Sequence, residues 1–194
     1  MTDSSPIKTL KTIQRMMEIT QQQLLAIMPN ARARVSMFLP YLNKYMARYG
    51  INNRMRMCHF LAQIAHESGE LRYTRELTSG AEYDTGRKAQ MLGNTPAKDG
   101  DGQRYKGRGL IQITGRANYK QISDATGIDF YNHPDWLELP QWATMSACWW
   151  WDNRGLNELA DRDELTNITK RINGGKNGLQ DRLKYLGRAK RVIK

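Results

Sequence analysis

The sequence predicts a mainly helical domain, α+β by one small β-hairpin at most, built around an elaborate middle loop. Three observations carry this reading. Apolar residues recur at three- and four-residue spacing through most of the chain. Glycine and polar residues crowd positions 78–109 and interrupt that pattern. Leu110 to Thr114 is a short apolar run that reads as a strand or a buried turn.

Residues 1–18 read as an N-terminal extension and residues 19–194 as one domain. In the extension, Lys8, Lys11, Arg15 and Met16-Met17 outline a short amphipathic helix with no function assigned. Thr20 caps a helix from Gln21 to Met28, which Pro29-Asn30 ends. A second helical run starts at Ala31, with Val35, Phe38, Leu39, Leu42 and Tyr45 on one face. Pro40 is expected to interrupt or kink it. Asn53 to Ser68 carries the strongest helical pattern, with Met57, Phe60, Leu61, Ile64, Ala65 and Ser68 on one stripe. Residues 78–109 read as one long loop, and loops of that length in compact domains usually carry function. Helical patterns resume over Tyr119–Thr126, Gln141–Asp152, Asp163–Arg171 and from Gly178 onward.

The 194 residues are 40% apolar and 25% charged. No apolar run approaches the roughly 20 residues of a membrane span. Collagen, disulfide-scaffold and disordered classes are excluded on the same composition. The net charge of +11 favours a polyanionic partner such as nucleic acid, an anionic membrane face or a cell-wall polymer. The densest basic stretch is Arg182 to Lys194, with no acid after Asp181. Its apolar residues Leu179, Leu183, Leu186 and Val192 are expected to pack on the domain, leaving the basic face to solvent. Cys58 and Cys148 sit among apolar neighbours and read as buried free thiols. The first residues lack the pattern of a secretory signal, so synthesis in a reducing cytoplasm is expected.

Several motifs fail on inspection. Gly107-Arg108-Gly109 opens like a dinucleotide fingerprint, but its sixth position is Gln112. Asp99-Gly100-Asp101 opens like a calcium loop, but Gln103 and Arg104 spoil the ligand set, and a flexible solvated loop is expected. His59 lies about 10 Å along the helix from His66, too far to share a metal. No metal or cofactor is implied.

Glu67 stands out. It lies at the edge of the apolar stripe and at the negative end of its helix. Partial burial and that dipole both disfavour the ionised form, which suits a general acid. The competing reading is a helix-end glutamate turned to water. Glu76 follows nine residues on. If the helix stops near Gly69, the chain can fold back and face Glu76 toward Glu67. Two carboxylates across a cleft are what glycosidic cleavage requires. Trp149-Trp150-Trp151 reads as core packing with one exposed ring.

Four blocks of residues resemble glycoside hydrolase family 19, which contains chitinases and phage and prophage endolysins. They are Ala65-His66-Glu67-Ser68-Gly69, Arg75-Glu76, the run from Tyr105 through Gly107-Arg108-Gly109 to Tyr119, and Arg171-Ile172-Asn173-Gly174-Gly175. The resemblance covers roughly residues 20–194. It implies a lysozyme-like helical fold with a substrate cleft and an inverting two-glutamate mechanism. It implies Glu67 as general acid and Glu76 as general base. It implies Thr114 as the residue that helps hold the attacking water. Gln112, Asn118 and Asn173 match polar residues of the sugar subsites, and Tyr105 and Arg182 further cleft residues. Glu70 departs from the family's second glycine and adds a third carboxylate, which could disfavour ionisation of Glu67 further or face solvent.

Chitin is nearly neutral and peptidoglycan anionic, so the net charge favours peptidoglycan. The expectation is a monomeric phage or prophage endolysin, made in the host cytoplasm and released by a holin to act on the wall, with some attraction to anionic cell surfaces. A small chitinase or a wall-degrading toxin would use the same residues. A basic nucleic-acid-binding protein would explain the charge but not the paired glutamates, so no nucleic-acid partner is expected.

Overall fold

A computed structural model describes residues 17–194. The expected N-terminal extension lies outside the described residues apart from Met17 and Glu18. The chain is anchored at Ile19, whose backbone N–H and C=O both bond the Asn43 side chain, at 2.9 and 3.0 Å.

The helices are α1 (Gln21–Ile27), α2 (Val35–Arg48), α3 (Arg54–Glu67), α4 (Gly86–Met91), α5 (Asp101–Arg104), α6 (Arg116–Thr126), α7 (Pro140–Asn153), α8 (Leu156–Asp161), α9 (Leu165–Asn173) and α10 (Leu179–Val192). Thr20 caps α1 with a full capping box completed by Gln23. Asn53 caps α3 by accepting from Arg56 N–H. The first helix, the α3 pattern and the later helices therefore fall where the periodicity put them. None is long and apolar enough to cross a membrane.

Three expectations change. α2 continues past Pro40 without interruption. Its ring is exposed, and the buried Val35, Phe38, Leu42 and Tyr45 hold both flanks, so packing outweighs the roughly 3 kcal/mol local cost. α3 is buried on all sides from Met57 to Ala65, not along one stripe. Such a helix forms the centre of a core. α10 lies along it, α8 packs against it, and α2 pairs with α7. Finally, 78–109 is ordered by local structure. Asp84 accepts from the N–H groups of Gly100 and Gly102, both at 3.0 Å, which fixes the start of α5, while residues 96–99 before it stay exposed.

Leu110 to Thr114 is a buried turn. It is closed by paired backbone bonds between Arg108 and Ile113, 3.1 and 2.7 Å, and a further bridge joins Arg108 to Arg75. On α10, Leu186 packs inward and Leu179 and Val192 partly so, but Leu183 is 50% exposed. Cys58 and Cys148 are buried and unpaired, and burial pushes both thiols up from their ordinary value.

Candidate active site

Glu67 is the last residue of α3. Its Oε1 accepts from the Arg182 guanidinium, which comes from α10. The same guanidinium donates to Gln63 Oε1, one turn back on α3. Residues four apart lie on one helix face, so a single arginine bridges both. Arg182 is 1% exposed. It therefore lies beneath Glu67 rather than on an open sugar-binding surface. Beside it, His66 Nδ1 meets Asp181 Oδ2 at 2.8 Å. The His66 ring seats on Gly178, where an added Cβ would come within 2.2 Å of it.

Glu76 is built from the other side. Its backbone N–H bonds Gly107 C=O at 2.9 Å, and Gly107 N–H returns a bond to Glu76 Oε2 at 2.8 Å. Thr78 Oγ1 donates to Glu76 Oε1. Tyr83 closes the group. Its hydroxyl is pushed up to about 12 by burial and then by the charges of Glu76 and Glu82. Neither Thr78 nor Tyr83 was distinguishable in the sequence from ordinary loop residues.

Gly107 is the pivot. A Cβ there would lie 2.7 Å from Gln112 Oε1, 2.8 Å from Glu76 Oε2 and 3.2 Å from Thr114 Oγ1. Only glycine lets these three side chains converge on one backbone position. Gln112 holds a left-handed backbone, φ 59°, which a non-glycine residue adopts at a cost of order 1 kcal/mol or more. Its Nε2 donates to Gly109 C=O at 3.0 Å, and its Oε1 is buried without a partner. Thr114 Oγ1 donates to Gln112 C=O at 2.9 Å, and Asn118 Nδ2 to Thr114 C=O at 2.7 Å. Gln112, Thr114, Asn118 and Glu76 thus form one connected group.

The remaining candidates lie apart. Asn173 ends α9 and is exposed. Its side chain organises the following turn, donating to Asn177 C=O and accepting from Gly175 N–H. Tyr105 is 3% exposed, packed between Tyr119 and Tyr131, so its ring has no face to offer a sugar. It supports the block from behind, its C=O bonded by Gly115 N–H. Arg108, also buried, braces the same turn through Glu138 at 2.8 Å and the Tyr119 hydroxyl at 3.1 Å. Glu70 is turned away from open solvent and shares no hydrogen-bond partner with Glu67 among the described residues. It is 5% exposed and accepts from Asn30 N–H and the Tyr185 hydroxyl, the latter at 2.9 Å. Trp149 and Trp151 are buried, and Trp150 is the partly exposed ring, with Arg154 at 4.6 Å from its centre.

Glu67 and Glu76 share no hydrogen-bond partner among the described residues. One is fixed by α10 and the other by the Gly107 turn, so the two carboxylates are anchored independently.

A family model described as chitinase class I, glycoside hydrolase family 19, matches residues 48–163. The chain is 31% identical over 171 residues to a glycosyl hydrolase family 19 domain-containing protein of Haemophilus influenzae, covering 74% of this chain and 82% of that one. It is 32% identical over 155 residues to an endochitinase of Arabidopsis thaliana, covering 76% of this chain and 51% of the plant protein. It therefore spans about half the length of that plant relative. Among solved structures, chitinase C from Streptomyces griseus superposes with a TM-score of 0.71 at 21% identity, covering 90% of this chain and 92% of that one. The helical fold is therefore the one that chitinase adopts.

Proposed function

Because this chain belongs to glycoside hydrolase family 19, we propose that it is an inverting peptidoglycan hydrolase that cuts β-1,4 glycosidic bonds of the bacterial wall. Glu67 is the general acid, Glu76 the general base, and Thr114 helps hold the attacking water. The observation that carries the chemistry is the convergence of Glu76, Gln112 and Thr114 on Gly107. It fixes a carboxylate oxygen beside a hydroxyl and an amide, the groups needed to orient a water molecule.

Glu67 gives its proton to the glycosidic oxygen as the bond breaks. Glu76 takes a proton from water arriving on the opposite face of the ring. As Glu67 loses its proton, negative charge develops on Oε1, where the buried Arg182 guanidinium already sits. That preorganised cation stabilises the charge as it forms. The unpartnered Gln112 Oε1 can accept from a sugar hydroxyl or an amide N–H. Asn118 lines the same group, and Asn173 shapes the turn that follows α9.

The wall polymer is preferred over chitin because the protein carries a net charge of +11 and the wall is anionic. Within that reading the protein is a phage or prophage endolysin that reaches the wall after release from the cytoplasm. Chitin hydrolysis is the second reading, favoured by the chitinase names of the plant relative and the Streptomyces structure.

Mass spectrometry of fragments released from purified Gram-negative peptidoglycan tests this. Wild type is expected to release disaccharide-peptides with a reducing N-acetylmuramic acid end, and Glu67→Gln to release none while keeping its fold. A reducing N-acetylglucosamine end would move the cut to the other bond. No release from peptidoglycan, with cleavage of chitin oligomers supplied in its place, would establish the second reading.

A further inference from the structure

Behind the turn that follows Glu67 is an open cavity of about 550 Å³. Its floor is the buried Glu70 carboxylate, and Asn30, Arg34, Arg72, Tyr73 and Tyr185 form its sides. It belongs to neither glutamate group described above. Tyr185 lies three residues after Arg182 on α10, so the cavity is about one helical turn from the arginine that holds Glu67.

Two arginines and one carboxylate line it. Arg34 and Arg72 form no ion pair among the described residues, although Glu70 lies in the same cavity. The Glu70 oxygens are already taken by neutral donors, the Asn30 N–H and Nδ2 and the Tyr185 hydroxyl. Arg34 spends one nitrogen on the backbone carbonyls of Asn30 and Glu70, and its buried Nε has no partner. Arg72 is exposed and lies over the Tyr73 ring at 5.1 Å. Two guanidinia therefore line a cavity whose one carboxylate is already satisfied by neutral donors. A guanidinium is matched to planar carboxylate groups.

We propose that this cavity binds a carboxylate of the wall's acidic stem peptide, while the glycan strand occupies the catalytic groups. The inference rests on the wall-hydrolase reading and adds to it a site that separates peptidoglycan from chitin, which has no such peptide. Arg72 and Arg34 supply the charge-assisted bonds, and the Tyr73 ring supplies a flat apolar wall for the peptide.

The test compares native peptidoglycan, peptidoglycan with its carboxyl groups amidated, and a chitin hexamer. Rates are measured at about 0.3 M salt, which screens attraction to the protein's overall charge. Amidation is expected to lower wild-type kcat/KM about tenfold, through KM, as one lost charge-assisted contact would. Arg72→Ala is expected to show that same loss on native peptidoglycan, no further loss on amidation, and unchanged turnover of the hexamer. Arg34→Lys, which keeps the charge but not the fork, is expected to move in the same direction. Peptidoglycan cleavage that amidation leaves unchanged, or lowers equally in wild type and Arg72→Ala, overturns the peptide site and leaves the wall reading standing. A wild type that cuts the hexamer but not native peptidoglycan overturns both.

Discussion

Gly107 and Arg182 show how little room single residues have in this site. A methyl group at Gly107 would collide with Glu76 and Gln112 at 2.8 and 2.7 Å. Gly107→Ala is therefore expected to displace Glu76, the proposed base, and lower kcat by about a hundredfold or more, the scale of losing general base catalysis. Turnover measured beside a circular dichroism spectrum checks it, and near-normal kcat would remove Gly107 from the site. Arg182→Met keeps the length but leaves Glu67 and Gln63 without their shared donor. Breaking a buried pair typically costs about 3–5 kcal/mol, and the partial exposure of Glu67 places the expected loss at about 2–3 kcal/mol. Urea titration reads that loss, and the same variant is expected to be inactive. A stable, inactive Arg182→Met would make the arginine's role purely catalytic. Glu70 shows the limit of reading residues in sequence. Its charge and position suggested an influence on Glu67, but the turn places it at left-handed φ and hands it to Tyr185 and Asn30. No local pattern encodes a partner 115 residues away.

At the scale of elements, helices with a clear period and a capping residue were legible. The Thr20 cap and the α3 pattern gave α1 and α3 to within a residue. Thr20→Ala removes the capping box and is expected to cost about 1 kcal/mol, read as a lower unfolding midpoint. An unchanged midpoint would mean that α1 is held by its docking on α10, where Gln23 Nε2 also bonds Val192 C=O at 3.0 Å. The misread elements have physical reasons. α4, α5 and α8 are six residues or shorter, less than two turns, and carry too few apolar positions to display a period. Pro40 was read by its local cost alone, while the packing of α2 against α7 decides. The turn around Gly107 stood out in the sequence because its glycines and its run of polar and apolar residues are unusual together. What the sequence could not reveal was direction. Tyr105 turns into the core and Gln112 toward Glu76, and only the Arg108–Ile113 turn decides which.

The molecule as a whole is organised around α3, and its pH response follows from that. His59 is fully buried on α3, bonded through Nε2 to Asp163 at 2.8 Å. Burial holds its imidazole below the ordinary 6.5, against the pull of Asp163. The folded protein thus takes up this proton less readily than the unfolded chain, so stability present above 6.5 is lost as pH falls below it. Burial pushes Asp163 up, but Lys190 and His59 outweigh it and hold it below 3.8, so a second loss follows at more acid pH. Thermal midpoints between about pH 7 and pH 5 are expected to fall in wild type and stay flatter in His59→Gln. Equal slopes would assign the acid sensitivity elsewhere. One last consequence concerns synthesis. Glu67 and the guanidinium that holds it are 115 residues apart in the chain. Synthesis therefore makes α3 with Glu67 well before the arginine that anchors it, and the carboxylate gains its buried counter-ion only once α10 packs along α3.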